Sequence, residues 1–195
     1  MSNLVITGLS KCYYAVMEDE GSETYRSVKE FAGIREVSIA PKEESASIYA
    51  ENRQWDTDVA LGDIEASFDF TDVPDDVYIE IFGKKKSTNG GIIENANDVR
   101  PYVAIMFEKT LTSGVAEYVT LFKGKFTLPE DKTKTKEGKT EYQTRSVSAT
   151  FLPLKSGIWK HYVRSNSDGF NSAEWSNKWG KEVIIPVEKT EVSGG

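Results

Sequence analysis

The stretch that most constrains this chain is residues 59–83, VALGDIEASFDFTDVPDDVYIEIFG. Its first half alternates: Ile64, Ala66, Phe68 and Phe70 fall on one face, and Glu65, Ser67 and Asp69 on the other. A period of two over that length predicts a strand with one buried and one wet face. Past Thr71 the period changes. Pro74 suits the first position of a helix, where its missing N–H is no loss. Asp75 and Asp76 place negative charge in the first turn, and Val77, Tyr78, Ile81 and Phe82 share one helical face. Gly83 supplies a C-terminal cap. A long amphipathic strand running into a short amphipathic helix at 74–82 needs a sheet to lie on or a barrel end to plug.

Elsewhere the periodicity is that of strands. Residues 11–17, 24–31 and 34–40 are expected strands, and Pro41 with Lys42, Glu43 and Glu44 reads as a turn before Ala46, Ile48 and Ala50 alternate. Residues 51–58 are polar apart from Trp55, and 84–91 read as an exposed turn. Residues 102–109 are apolar on both faces, which predicts a central strand, hairpinned through Ser113 and Gly114 to 118–122. Gly124 is expected to break that strand before 126–128. The segment 129–140, PEDKTKTKEGKT, has no apolar residue beyond its proline and reads as a long loop. Val147, Ala149 and Phe151 then alternate in a further strand. Near the C-terminus Trp159, Tyr162, Phe170, Trp175 and Trp179 sit among Ser, Asn and Gly. Trp175 and Trp179 suit a short helix capped by Asn171 or Ser172, and 183–187 suit a last strand. Roughly eight to ten strands with one firm helix predict a mainly β fold, a β-sandwich or barrel with one flanking α-helix. One domain spanning 1–195 is expected: an arm (1–10), a β core (11–154) with the helix 74–82 and the loop 129–140, and a C-terminal extension (155–195).

The residue inventory argues against most chemistry. The only histidine is His161 and the only cysteine Cys12, so neither a hydrolase triad nor a zinc site has its ligands. Asp69, Asp72, Asp75 and Asp76 form the densest acid cluster, yet no calcium-loop pattern accompanies them, and a strand face and helix start explain them. Lys84, Lys85 and Lys86 follow the helix instead of preceding one, which is the wrong order for a phosphate loop. No catalytic residue, cofactor or metal is therefore expected. A formal charge of -7 argues against holding nucleic acid as a static ligand. No apolar run approaches the ~20 residues of a membrane span. The N-terminus lacks the basic start and apolar stretch of a signal peptide, and a lone cysteine fits a reducing cytoplasm. The C-terminal aromatics leave open a secreted or baseplate carbohydrate-binding β-sandwich, in which they would stack on sugars.

Several stretches, in order, resemble the major tail (tail tube) proteins of long-tailed, non-contractile bacteriophages of Gram-positive hosts, the phi-thirteen type of siphophage. They are GLSKCYYAVM, IREVSIAPKEESASIYAEN, ALGDIEASFDFTDVPDDVYIEIFG, GIIENANDVRPYVAIMFE, the Lys-Thr loop with EYQTRSVSATFLPL, and the closing Asp168-Gly169-Phe170, Trp179 and Pro186. The resemblance implies a structural, non-enzymatic virion protein, assembled in the host cytoplasm as homohexameric rings stacked around a tape-measure protein. It implies contacts with tail terminator and distal tail or baseplate proteins, and passage of genomic DNA during ejection without specific binding or membrane contact. The tube of a contractile tail or secretion system shares the fold and is the alternative within this reading. On it, Glu65 and Asp69 are candidate lumen acids, since like charge keeps transiting DNA off the wall. Lys132, Lys134, Lys136 and Lys139 are candidates for contact between rings.

Overall fold

The structure, a computed structural model, describes residues 4–50, 53–131 and 143–188. Its longest strand is β5 (Arg53–Phe70), preceded by β1 (Ile6–Asp19), β2 (Thr24–Tyr25), β3 (Lys29–Glu30) and β4 (Ile34–Ala50). After β5 come α1 (Asp75–Phe82), β6 (Lys85–Lys86), β7 (Ile92–Ile93), β8 (Val103–Leu111) and a 3-10 turn at Thr112–Gly114. Then follow β9 (Ala116–Thr127), β10 (Arg145–Leu152), β11 (Lys160–Arg164) and α2 (Ser172–Lys178). The main sheet is antiparallel in the order β2-β1-β8-β9-β10-β5-β4, and it curls until β4 comes against β1. The fold is mainly β, as the periodicity predicts.

The alternating face of β5 is the core. Ile64, Phe68 and Phe70 are buried with Val147 and Phe151 of β10, Phe126 of β9, and Cys12, Tyr14 and Val16 of β1. Helix α1 closes this core with Val77, Ile81 and Phe82. Phe31 stacks on Phe70 with centroids 3.6 Å apart, and Phe82 meets Phe126 edge-on at 6.3 Å. Gly83 caps α1 in the left-handed region (φ 65), and a Cβ there would stand 2.1 Å from the Val99 carbonyl oxygen. A smaller cluster of Met17, Phe122 and Leu154 lies on the opposite face.

Several expectations are corrected. Pro41 to Glu44 is no turn: β4 runs through it, with a register irregularity between Pro41 and Glu43. Proline is tolerated there because β4 is an edge strand and the site is a bulge. β5 begins at Arg53, so the polar stretch before Val59 is strand as well. β1 begins at Ile6, pairing half of the expected arm with β8. Residues 24–31 hold only the two-residue strands β2 and β3, and 183–187 are not in a strand. Gly124 does not break β9; it admits Phe151, whose ring carbon would lie 2.4 Å from a Cβ there. Lys84 is not exposed: its Nζ meets Asp98 Oδ2 at 3.0 Å, with the two side chains only 4% and 8% exposed.

β10 pairs with β5 only from Ile64 to Phe70, whereas β4 follows β5 along its whole length. Beyond Pro41 and Ile64 the β4–β5 hairpin therefore leaves the sheet as a two-stranded ribbon. Where β10 ends, β11 takes over the same edge of β9, pairing Lys160↔Leu121 through Arg164↔Glu117.

Candidate functional site

The wet face of β5 is continued by its neighbours into rows. Ser38, Ser67 and Ser148 stand side by side, with Glu36, Asp69 and Ser146 in the next row and Ala40, Glu65 and Thr150 beyond. This wall is small and polar. Two of its acids are paired: Lys42 bonds Glu65, Arg35 lies 3.7 Å from Asp69, and Ser146 Oγ donates to Asp69 at 3.0 Å. Glu65 and Asp69 thus share one face, each beside a cation. Lys132, Lys134, Lys136 and Lys139 lie outside the described residues.

The ribbon presents apolar side chains on both faces. Val59 and Leu61 project on one side, opposite Ser45 and Glu43, and Ala46, Ile48 and Ala60 project on the other. Ile48 is 64%, Val59 54% and Leu61 46% exposed. Among the described residues neither ribbon strand pairs with anything but its partner. An isolated two-stranded ribbon is marginal in water, so exposed apolar residues on both of its faces mark a contact surface.

A cationic group gathers where β11 replaces β10. Glu117 of β9 is buried and accepts from Lys109 Nζ at 3.1 Å and Arg164 Nε at 2.8 Å. Burial opposes its ionisation, and the hydrogen bonds from Arg164 and Lys109 outweigh it, holding its pKa below the usual carboxylate value. Lys160 lies over the rings of Trp159 and Tyr162 at 5.7 and 5.5 Å. Among the described residues no carboxylate stands within ion-pair distance of it, and burial, then Lys109, push its pKa down.

The C-terminal aromatics form a cover over the sheet. Asn171 caps α2 by accepting from the N–H groups of Ala173 and Glu174. Tyr118 of β9 stacks with Phe170 at 5.9 Å and Trp175 at 5.3 Å, and Trp179 meets it edge-on at 4.9 Å. These rings spend their faces on one another, which disfavours a sugar platform. His161 packs near Trp175 at 6.1 Å, and burial pushes its pKa below 6.5. Cys12 is buried in the core, and desolvation pushes its thiol pKa up.

The acids after β5 face a cleft of about 880 Å³ lined in part by Asp72, Asp75, Tyr78, Glu94, Leu128 and Arg145. Asp76 bonds Lys86 at 2.6 Å, and that hydrogen bond holds its pKa down. Among the described residues no group of three His, Cys, Asp or Glu side chains is placed to hold a metal ion. The sequence pattern pointed to the wet face of β5 but not to the ribbon or the Lys109–Glu117–Arg164 group. Both depend on where strands stop pairing, and no local periodicity records that.

Compared with known proteins, residues 6–182 match a family model described as phage tail tube protein. No curated protein matches the chain.

Proposed function

Because the chain belongs to the phage tail tube protein family, and is thereby a structural subunit of a virion tail, we propose that its copies close into hexameric rings. The rings stack around a tape-measure protein and leave a channel for the genome, in a long non-contractile tail. The observation that supports this most directly is the β4–β5 ribbon, which offers apolar side chains on both faces and, among the described residues, pairs with no further strand of its own sheet. A monomer has no use for such a surface, and a ring supplies it with a neighbour by a heterologous contact.

The polar wall of β4, β5 and β10 is the lumen lining on this reading. Small hydroxyls and ion-paired acids such as Glu65 and Asp69 give DNA neither a cationic grip nor an apolar step, and the -7 charge of each subunit adds repulsion. The lysines of the 129–140 loop reach the next ring, where the cleft around Asp72, Asp75 and Glu94 offers opposite charge. Tail terminator and distal tail proteins close the two ends.

Electron microscopy of the purified protein over a concentration series tests the reading. Rings or tubes with a central channel are the expected result. Monodisperse single subunits at every concentration would overturn it.

A further inference from the structure

We infer that β11 is a docking edge, to which the acidic β4–β5 ribbon of a neighbouring copy adds as a strand. The inference rests on the tube reading above and names the surfaces that join the subunits. Three properties of β11 lead to it, and each concerns a different kind of interaction.

The first is backbone pairing. Phe122 N–H donates to the Trp159 carbonyl at 3.2 Å and Ser165 N–H to the Ala116 carbonyl at 2.8 Å. In an antiparallel ladder this parity gives the odd-numbered residues to β9 and turns the peptide groups of Lys160, Tyr162 and Arg164 the other way. Arg164 N–H accordingly finds the Ser167 hydroxyl, at 3.3 Å, and its carbonyl accepts from Ser167 N–H at 2.9 Å, so the outward edge left for a partner is that of Lys160 and Tyr162. Among the described residues no strand pairs with that outer edge. β10 covers the rest of β9 and is itself covered by β5, and the ribbon departs at the level where β11 begins. The edge is thus open because this subunit's own ribbon has left it.

The second property is charge. Lys160, His161 and Arg164 bring no acid to the strand, and Lys109 stands beside them. Glu117 is the one buried carboxylate there, and Lys109 and Arg164 already occupy it. Lys160 is a half-buried cation whose nearest acid, Glu117, is in contact with Lys109 and Arg164 instead. The ribbon is the opposite: along 42–63 its described acids Glu43, Glu44, Asp58 and Asp63 outnumber Lys42 and Arg53, and Lys42 is taken by Glu65. An acidic strand laid along β11 supplies Lys160 with an anion at contact distance, and juxtaposed like charge would repel a wrong partner.

The third property is apolar surface. Tyr162 is 58% exposed on β11, and the ribbon carries Ile48, Val59 and Leu61 exposed. Strand addition joins main-chain hydrogen bonds to side-chain contacts of this kind. Both strands of the ribbon have a free outer edge among the described residues; β4, which carries Glu43 and Glu44, is the strand that docks.

The test is a charge exchange read by electron microscopy and sedimentation of the full chain. Glu43→Lys with Glu44→Lys lies on an exposed ribbon and leaves the subunit folded, as melting and circular dichroism would show. It is expected to raise the protein concentration needed for assembly by about tenfold or more. Lys160→Glu alone should do the same, and combining the two changes should restore assembly. Tyr162→Pro removes an outward N–H that β9 does not use and should block assembly without charge change. Assembly unaffected by these variants, or a combined variant that does not recover, overturns the inference while the tube reading stands. An unchanged chain that never assembles overturns both.

Discussion

Phe68 and Glu65 lie on one strand and predict opposite outcomes. Phe68 is fully buried against Phe126 and Phe151, so Phe68→Ala is expected to cost about 3 to 5 kcal/mol through the cavity it leaves. Ile81→Ala, in the helix facing the same core, is expected to cost about 2 to 5 kcal/mol. Glu65→Ala removes an exposed ion pair with Lys42 and should cost less than about 1 kcal/mol. Chemical denaturation ranks the three, and a ranking with Glu65→Ala worst would invert the faces of β5. Gly124→Ala places a methyl 2.4 Å from the buried Phe151 ring, and overpacking of that kind costs about 1 to 3 kcal/mol. The titrating groups add a pH dependence with a definite sign. Glu117 has its pKa lowered in the fold, so its stabilisation is present above its unfolded value of 4.5 and is lost as pH falls through the folded one. His161 is held neutral by burial, so its stability is complete above 6.5 and declines as pH falls below. Thermal melts from pH 4 to 8 should show His161→Phe flattening the upper part of this decline and Glu117→Gln the lower part.

Among the elements, those built on one period were legible and those built on a partner were not. The core face of β5 and the helix α1 with its Gly83 cap follow from spacing alone, as does α2, for which spacing allows Asn171 or Ser172 as cap and the structure has Asn171. Asn171→Ala is expected to cost about 1 kcal/mol and to loosen the aromatic cover, read as increased tryptophan exposure to a quencher. The lysine after α1 was misread as exposed because Asp98, its partner, belongs to a different loop. Lys84→Met should therefore destabilise the subunit, since it leaves the largely buried Asp98 carboxylate with the Asn95 N–H but no cation; thermal unfolding against the unchanged chain checks it. Pro41 read as a turn because local rules cannot tell an edge-strand bulge from a chain reversal. The wet face holding Glu65 and Asp69 was visible in the alternation. The cationic group at β11 was not, because Lys109, Glu117 and Arg164 come together only through the register of three strands.

For the whole molecule the question is which parts serve the subunit and which serve the tube. β9 ends at Thr127 and β10 begins at Arg145, where a turn of two to five residues, roughly, would be enough to join them. Replacing 131–140 with a short Gly-Ser turn is expected to keep the thermal unfolding transition and to abolish tubes in electron microscopy; tubes of normal length, or an unfolded subunit, would refute that role. The ribbon has a further consequence, a mechanical one. Its hydrogen bonds lie across its length, as in any antiparallel pair. A pull along the strands loads all of those bonds at once, whereas a pull that spreads the strands breaks them a pair at a time. A subunit held through this ribbon is strong in shear and weak in peel.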